Sequence, residues 1–257
     1  METATPRPKF SSFHHSDRRF YAIFLAFCWL GVLFGFFPAA SARYGGNADY
    51  PAPLILIIHA SLFVGWLILL SLQIALVRTN QLRMHKWLGQ IGYLFIPLMI
   101  YSGLAGELYN QRLNAEHPDY GLHFLIFPLY YVIGFGIFGT WALAVARRDP
   151  VAHKRLIILA TTVIVGVGYA RWWGSILYRV FGDEYWGTIL RTFSGTNMLL
   201  AMAVGFDIWT RGRPHRVYQI GVPAVLVAEL ICSYVYHSVW WMPVARHLIA
   251  IRLPLSG

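Results

Sequence analysis

The chain has 257 residues, of which 57% are hydrophobic and only 12% are charged. A soluble domain would have about a quarter of its residues charged, so the composition excludes that class and predicts an integral membrane protein. The formal charge of +10 does not indicate nucleic-acid binding, because the basic residues lie mostly in short turns between apolar runs.

The N-terminal segment combines a basic arm with the first apolar run. Residues 1–19 are polar and basic and are predicted to form a cytoplasmic arm, followed by a first membrane helix at about 20–38. The residues at 38–42, PAASA, resemble the cleavage site of a signal peptide. The apolar stretch before them is longer than the usual core of about 7–15 residues. An uncleaved helix is therefore favoured, and a cleaved signal peptide is the alternative.

Six further apolar runs are each long enough to cross a bilayer core. They are predicted at about 53–77, 87–106, 123–146, 155–177, 188–209 and 217–240. The predicted fold is therefore all-α, with seven transmembrane helices in one domain (20–240) and a short external tail at 241–257. A basic turn ends in His followed by Lys or Arg at His85, His153 and His215. The chain is accordingly interpreted as one helix plus three related hairpins.

The distribution of charges predicts how the helices are oriented. Lysine and arginine are concentrated in the arm and in the turns after spans two, four and six. The opposite loops are predicted to hold most of the acidic residues, namely Asp49, Glu107, Glu116, Asp119, Asp183 and Glu184. The positive-inside rule then places the N-terminus in the cytoplasm and the C-terminus outside.

Several motifs are shared with a known group of membrane proteins. They are LLSLQ at 69–73, LVRTNQLRMHKWLG at 76–89, RRDPVAHKRLIILAT at 147–161, YARWW at 169–173 and FDIWTRGRPH at 206–215. Over roughly residues 53–240 the chain resembles a widespread bacterial family of uncharacterised seven-helix membrane proteins. It departs from that pattern at Arg216, where the family usually has Pro. The resemblance implies a location in the bacterial inner membrane and no particular activity.

Four histidines carry a more distant resemblance, to the two-haem transmembrane cytochromes b. It covers about 100 residues and includes the H-x-x-L-G opening of span three. It implies two sites for haem b, His59 with His123 near the outer face and His85 with His153 near the inner face. Antiparallel spans sort the four residues into these layers, although His59 lies about 9 Å into its helix and His123 near its start. Alternatively, the inner histidines and their basic neighbours meet anionic lipid head groups.

Three ionisable residues are predicted at similar depth in the outer half of the membrane. Counted from the inner ends of their helices, Arg171 lies at about 24 Å, Glu229 at about 18 Å and His59 at about 21 Å. Ionisable groups at this depth are costly unless paired. An Arg171–Glu229 ion pair beside His59 is therefore predicted, either as a polar ligand pocket or as a structural pair that fixes helix register.

Three functional classes follow from these patterns. The first is haem-dependent electron transfer with a redox partner. The second is binding or transport of a small ligand through the outer polar pocket, and the third is a role as an assembly partner in the membrane. No catalytic residue is predicted, and whether the protein is an enzyme stays open. Cys28 and Cys232 fall inside apolar runs and indicate no thiolate metal site.

Overall fold

The computed structural model describes residues 10–47, 53–114 and 121–250, in which all regular structure is helical. The helices are α1 (Asp17–Tyr44), α2 (Leu54–Arg78), α3 (Leu82–Leu88), α4 (Gly92–Asn114), α5 (Ile126–Val145), α6 (Pro150–Phe181), α7 (Tyr185–Arg211), α8 (Arg216–Tyr236) and α9 (Trp241–Ala250). Short 3-10 segments, Gly89–Ile91 and Leu122–Leu125, join α3 to α4 and lead into α5. Seven segments are long and apolar enough to cross a membrane, with α3 and α4 forming one of them. The prediction of an all-α, seven-span integral membrane protein is confirmed.

Several helix boundaries differ from the predicted ones. Helix α1 begins before residue 20 and continues through the PAASA segment to Tyr44. Helix α4 continues to Asn114, so Glu107 lies inside a helix rather than in a loop. In the predicted tail, α9 packs against the outer parts of α4 and Leu122–Leu125. Residues 1–9 of the arm and 251–257 of the tail lie outside the described residues.

Helix α6 is the centre of the bundle. It packs against α1, α5 and α7, and its residues from 158 to 166 are all buried. Helices α1, α2, α4 and α5 surround one side of α6, since α2 packs on α4 and α1, and α4 packs on α5. Helices α7 and α8 cover the other side. The bundle therefore has two interiors, one on each side of the central helix.

The ends of the helices at the turns show specific capping. The Asp149 carboxylate accepts hydrogen bonds from the amides of Val151 and Ala152, at 3.1 and 2.9 Å, and Pro150 occupies the first helical position of α6. At the end of α7, Gly212 has a φ of 72° and its amide bonds back to Ile208. Glycine adopts this left-handed conformation at little cost. The short basic turns are thus built to reverse the chain.

A buried network of five charged side chains holds the helices together at one end of the bundle. Arg155 of α6 and Asp207 of α7 form a bidentate ion pair, with Nε to Oδ2 at 2.8 Å, and both residues are only 2% exposed. Arg211 donates to both oxygens of Asp17, at 2.8 and 2.9 Å, and Lys154 reaches Asp17 at 3.0 Å. The five side chains connect α1, α6 and α7. Arg155, near the start of α6, is one of the largest fully buried residues.

The arm and the basic turns lie at this same end, which we call the inner end. Lys154 donates to the Ser12 carbonyl and Arg211 donates to the Ser11 carbonyl. Arg18 donates to Asn80 in the α2–α3 turn at 2.9 Å. The four basic segments of the sequence therefore share one side of the bundle, as the charge pattern predicts. That this side faces the cytoplasm stays a prediction.

The third histidine of the repeated turns, His215, caps helix α8, and it does so only while its ring is neutral. Its Nδ1 accepts a hydrogen bond from the Val217 amide at 3.2 Å. Burial, with the nearby charge of Arg155, lowers the pKa of His215 below its usual value. The unfolded chain therefore takes up a proton before the folded one does, so the stability from this cap is present at neutral pH. It is lost as the pH falls below the ordinary histidine pKa of about 6.5.

We expect the His215→Asn variant to lose less thermal stability than wild type on acidification from about pH 7 to pH 5. Asparagine caps a helix at every pH, and such a cap is worth about 1 kcal/mol. Melting temperatures in detergent across this range provide the measurement. His247→Asn, at an exposed site on α9, serves as the control and should follow wild type. Identical pH profiles for wild type and His215→Asn would contradict the capping role.

Candidate functional site

One face of α2 carries polar groups on both sides of a tryptophan. His59, Trp66 and Gln73 are spaced by seven residues, about 10 Å or two turns apart on one face. The Trp66 Nε1–H donates to Thr161 of α6 at 3.2 Å, and its ring meets Phe135 of α5 edge-on at 4.9 Å between centroids. Trp66 therefore separates an inner polar cluster near Gln73 from an outer polar cluster near His59.

The inner cluster consists of Gln73, His85 and His153. Both polar atoms of the Gln73 amide and Nδ1 of His85 are buried and have no hydrogen-bond partner. The rings of His85 and His153 are close enough to interact electrostatically, and the Gln73 backbone also acts on His85. Buried polar groups without partners are costly and uncommon in folded proteins. These three atoms are therefore available to bind a ligand or water.

The ring of His153 has a defined orientation. Its Nδ1–H donates to the Ala142 carbonyl at 2.8 Å, which leaves Nε2 as the unprotonated nitrogen of the neutral ring. A backbone carbonyl on the far nitrogen is the usual support of a metal-bound histidine. The two helices that carry His85 and His153 have different packing partners. Helix α3 packs against α2, and α6 packs against α1, α5 and α7. Two histidines on helices separated in this way fit the two sides of a haem iron.

The outer cluster consists of His59, Glu107, Gln111 and Arg171. His59 lies against Gly103 and Gly106 of α4, and its ring contacts Phe63 at 4.2 Å. The Gln111 amide donates to Glu107 at 2.6 Å, one helical turn away, while its buried oxygen has no partner. The charge of Arg171 acts on both His59 and Glu107. This cluster joins α2, α4 and α6 at the outer end of the same interior.

The predicted ion pair between Arg171 and Glu229 is not formed. Arg171 is exposed, with its guanidinium 5.0 Å from the centroid of the Phe36 ring. Glu229 is buried on the other side of α6, where Tyr130 and Asn197 donate to its carboxylate. The sequence indicated the depth of each residue along its helix, but it did not determine which side of the helix the residue faces. The acid that shares the outer cluster with His59 and Arg171 is Glu107.

The predicted outer haem pair is not assembled either. His123 lies in the 3-10 segment before α5, with its ring 6.1 Å from that of Tyr236 and its carbonyl bonded to Trp241. His59 packs on Gly103 and Gly106 instead. No hydrogen bond, ring contact or electrostatic interaction is formed between His59 and His123, whereas His153 acts electrostatically on His85. The residues present therefore favour a haem at the inner pair over one between His59 and His123.

The structure also bears on the alternative in which the inner histidines and their basic neighbours meet anionic lipid head groups. Lys154 is bonded to Asp17 and to the Ser12 carbonyl, and His153 is bonded to the Ala142 carbonyl. These groups are therefore used inside the protein. An open groove of about 590 Å³ between α4 and α5 is lined by apolar residues such as Ile137 and Trp141 and contains no histidine. It lies apart from both polar clusters.

Gln73, Glu107 and Gln111 are site residues that sequence reasoning missed. A heptad offset from His59 through Trp66 to Gln73 was present in the sequence and would have placed Gln73 on the interior face. Glu107 was assigned to a loop because the polar stretch after it resembles a helix end. Within the described part of the chain, no group of three or more His, Cys, Asp or Glu residues is arranged to hold a metal ion.

No protein-family model, curated protein or solved structure matches this chain. Its likeness to the seven-helix family and to the cytochromes b therefore stays an expectation from sequence motifs. The function is inferred below from the chain's own geometry.

Proposed function

We propose that this protein is a membrane redox protein whose inner cluster would hold one b-type haem, with His85 and His153 as the residues that would bind its iron. The observations that carry the proposal are that His153 of α6 lies near enough to His85 of α3 to act on it electrostatically, and that the His153 ring is oriented by the Ala142 carbonyl. When bound, haem supplies reversible one-electron transfer. The sequence resemblance implied two haem sites, one near each face, and the proposal keeps only the site at the inner end.

Each residue of the inner cluster has a distinct part in this proposal. The Ala142 carbonyl holds the His153 ring in one orientation and one tautomer. Gln73 offers a buried amide donor and a buried acceptor beside the ligands. Lys86, whose charge acts on His85, places a cation near the site, suited to the carboxylates of a haem. Trp66 and Phe135 close the cluster toward the membrane centre and exclude water.

The position of the cluster favours electron exchange with a partner at the inner surface. His85 and His153 are each the fourth residue of their helices, within about 6 Å of the helix start along the axis. A redox group there lies close to the basic turns on the inner side. We therefore propose a redox partner on the side of the N-terminal arm, which the charge pattern assigns to the cytoplasm of a bacterial inner membrane.

We expect His85→Ala and His153→Ala each to remove nearly all bound haem. Loss of a direct ligand should exceed the roughly 10–100-fold effect of losing an outer-shell partner. The measurement is haem content per protein and the Soret absorbance of protein produced with adequate haem supply. Melting temperatures of the same samples show whether the variants are folded.

His59→Ala and His123→Ala are the controls, because they remove histidines outside the inner cluster. Both should retain wild-type haem content. Loss of haem in these variants with retention in the His85 and His153 variants would overturn the ligand assignment. Wild-type protein without haem would overturn the redox proposal.

The outer cluster supports a second candidate, a protein that binds a small polar ligand between α2, α4 and α6. The favouring observation is that Arg171 is exposed while Gln111 presents a buried, unpartnered oxygen beside Glu107. A ligand with both an anionic group and a hydrogen-bond donor matches this set. This candidate would replace the first if wild-type protein lacked a Soret band.

A further inference from the structure

A buried acid with neutral partners lies in the second interior of the bundle, between α5, α7 and α8. Glu229 is 2% exposed. The Tyr130 hydroxyl donates to its Oε1 at 3.1 Å and the Asn197 amide donates to its Oε2 at 2.8 Å. Glu229 lies about 20 Å along α8 from the inner end of that helix. Among the described residues, the two other buried acids, Asp17 and Asp207, are instead paired with Lys or Arg.

The groups that face Glu229 carry no positive charge. Tyr130 and Tyr131 face it from α5, Asn197 from α7, and Cys232 from its own helix. Within the described residues, no Lys, Arg or His forms a hydrogen bond or an electrostatic interaction with Glu229. Burial of an unpaired carboxylate at membrane depth costs several kcal/mol, and such a group avoids this cost by taking up a proton. The surroundings of Glu229 therefore suit the neutral, protonated form of its carboxyl group.

A path of polar groups runs from the outer end of the bundle toward Glu229. Ser233 and Tyr236 lie one and two turns beyond Glu229 on α8. The Tyr236 hydroxyl donates to Asp183 at 3.2 Å and accepts from Arg191 at 3.2 Å, and Arg191 also pairs with Asp183. Asp183 is exposed at the outer surface. Water therefore reaches a titratable network about 10 Å from Glu229.

Two aromatic rings separate this outer network from the acid. Phe127 and Phe193 are both fully buried. Phe127 contacts Tyr236 with centroids 5.1 Å apart, and Phe193 contacts Tyr130 at the same distance. Toward the inner end the packing is apolar, since Gly221 of α8 lies against Leu159 and Phe138. The acid is thus closed on the inner side by apolar packing and on the outer side by a two-ring barrier.

We propose that Glu229 is a proton-binding site within the membrane that exchanges its proton with the aqueous phase at the outer end. Tyr130 shares the proton with the carboxyl group, and Phe127 and Phe193 form the barrier that a proton passes to reach Tyr236 and Asp183. The site is independent of the inner cluster, so it stands whether or not the protein binds haem.

Infrared spectroscopy of the full protein in lipid vesicles tests the proposal, because a protonated carboxyl group has a C=O stretch that a carboxylate lacks. We expect this band at neutral pH in wild type, its loss in Glu229→Gln, and its retention in Glu184→Gln, a control that removes an exposed acid at the outer end. Should Glu229→Gln not fold, Tyr130→Phe should shift the band to higher frequency by removing a hydrogen-bond donor. Absence of the band in wild type, or its persistence in Glu229→Gln, would overturn the proposal.

Proton exchange through the outer end is tested by the rate at which the C=O band of Glu229 shifts after transfer to D₂O. Phe193→Ala should speed the shift severalfold by opening the outer barrier. Phe138→Ala, on the inner side of Glu229, is its control and should leave the rate unchanged. An unchanged rate in Phe193→Ala together with a faster rate in Phe138→Ala would overturn exchange through the outer end.

Discussion

The Arg155→Met variant is expected to lose about 3–5 kcal/mol of stability, because it leaves a buried carboxylate without its main partner. Asp207 is 2% exposed and receives two hydrogen bonds from the Arg155 guanidinium. Its remaining contacts are the His215 amide at 3.1 Å and Arg211 at 3.6 Å, which is already held by Asp17. Arg211 is therefore poorly placed to replace Arg155. The ends of α6 and α7 should therefore separate or admit water.

A double-mutant cycle in detergent measures this effect. Asp207→Leu alone should be similarly destabilising, whereas the double variant Arg155→Met/Asp207→Leu should recover part of the loss, since neither charge is then left unpaired. Arg83→Met removes an exposed arginine at the same end of the bundle and should change stability by less than about 0.5 kcal/mol. Equal melting temperatures for Arg155→Met and Arg83→Met would show that the pair contributes nothing.

The second large effect is expected at the crossing of α1 and α6, where Gly35→Ala should prevent the native approach of the two helices. A methyl group at Gly35 would overlap the Gly168 carbonyl, and one at Gly168 would lie 2.5 Å from the Gly31 carbonyl. Gly31 and Gly35 are four residues apart, the spacing at which small residues let transmembrane helices touch. Backbone atoms cannot move aside as a flexible side chain does, so overpacking here should reach or exceed about 1–3 kcal/mol.

Gly205 in α7 provides the matched control for this prediction. A methyl group added there meets nothing within 4 Å, so Gly205→Ala should be neutral or stabilising, by up to about 1 kcal/mol from helix propensity. The measurement is the fraction of protein that stays monodisperse after heating in detergent. If Gly35→Ala survived heating as well as Gly205→Ala, the close approach of α1 and α6 would be disproved.

The fold was predictable from the sequence because lipid permits few alternatives. A chain with seven apolar runs must satisfy its backbone within each run, which leaves seven helices. Helix ends were less predictable where polar residues continue a helix, as at Glu107 in α4 and Ser41 in α1. Their backbones remain helical although their side chains resemble those of loops.

The candidate sites were predictable only in part, because a residue's depth follows from its position in the chain but its direction depends on packing. His85 and His153 were placed in one layer, and in the structure His153 lies near enough to His85 to act on it electrostatically. His59 and Arg171 were also grouped together, and the charge of Arg171 does act on His59. Glu229 was assigned to the wrong interior because α8 lies across α6 from α2. Only the packed bundle shows which side of the central helix a residue faces.

The docking of the N-terminal segment has a consequence for the order of biosynthesis. Asp17 is synthesised 194 residues before its partner Arg211. Ser11, whose carbonyl accepts a hydrogen bond from the same arginine, is synthesised 200 residues before it. The inner end of α1 therefore emerges from the ribosome with no ionic partner until α6 and α7 have been inserted. Each doubling of the loop length adds only about 0.6 kcal/mol to the cost of closing it, because this cost grows with the logarithm of length. The ionic contacts of α1 with α6 and α7 thus form after its contact with Asn80 of the α2–α3 turn, and a ribosome that stalls before Arg211 leaves Asp17 with Lys154 but without Arg211.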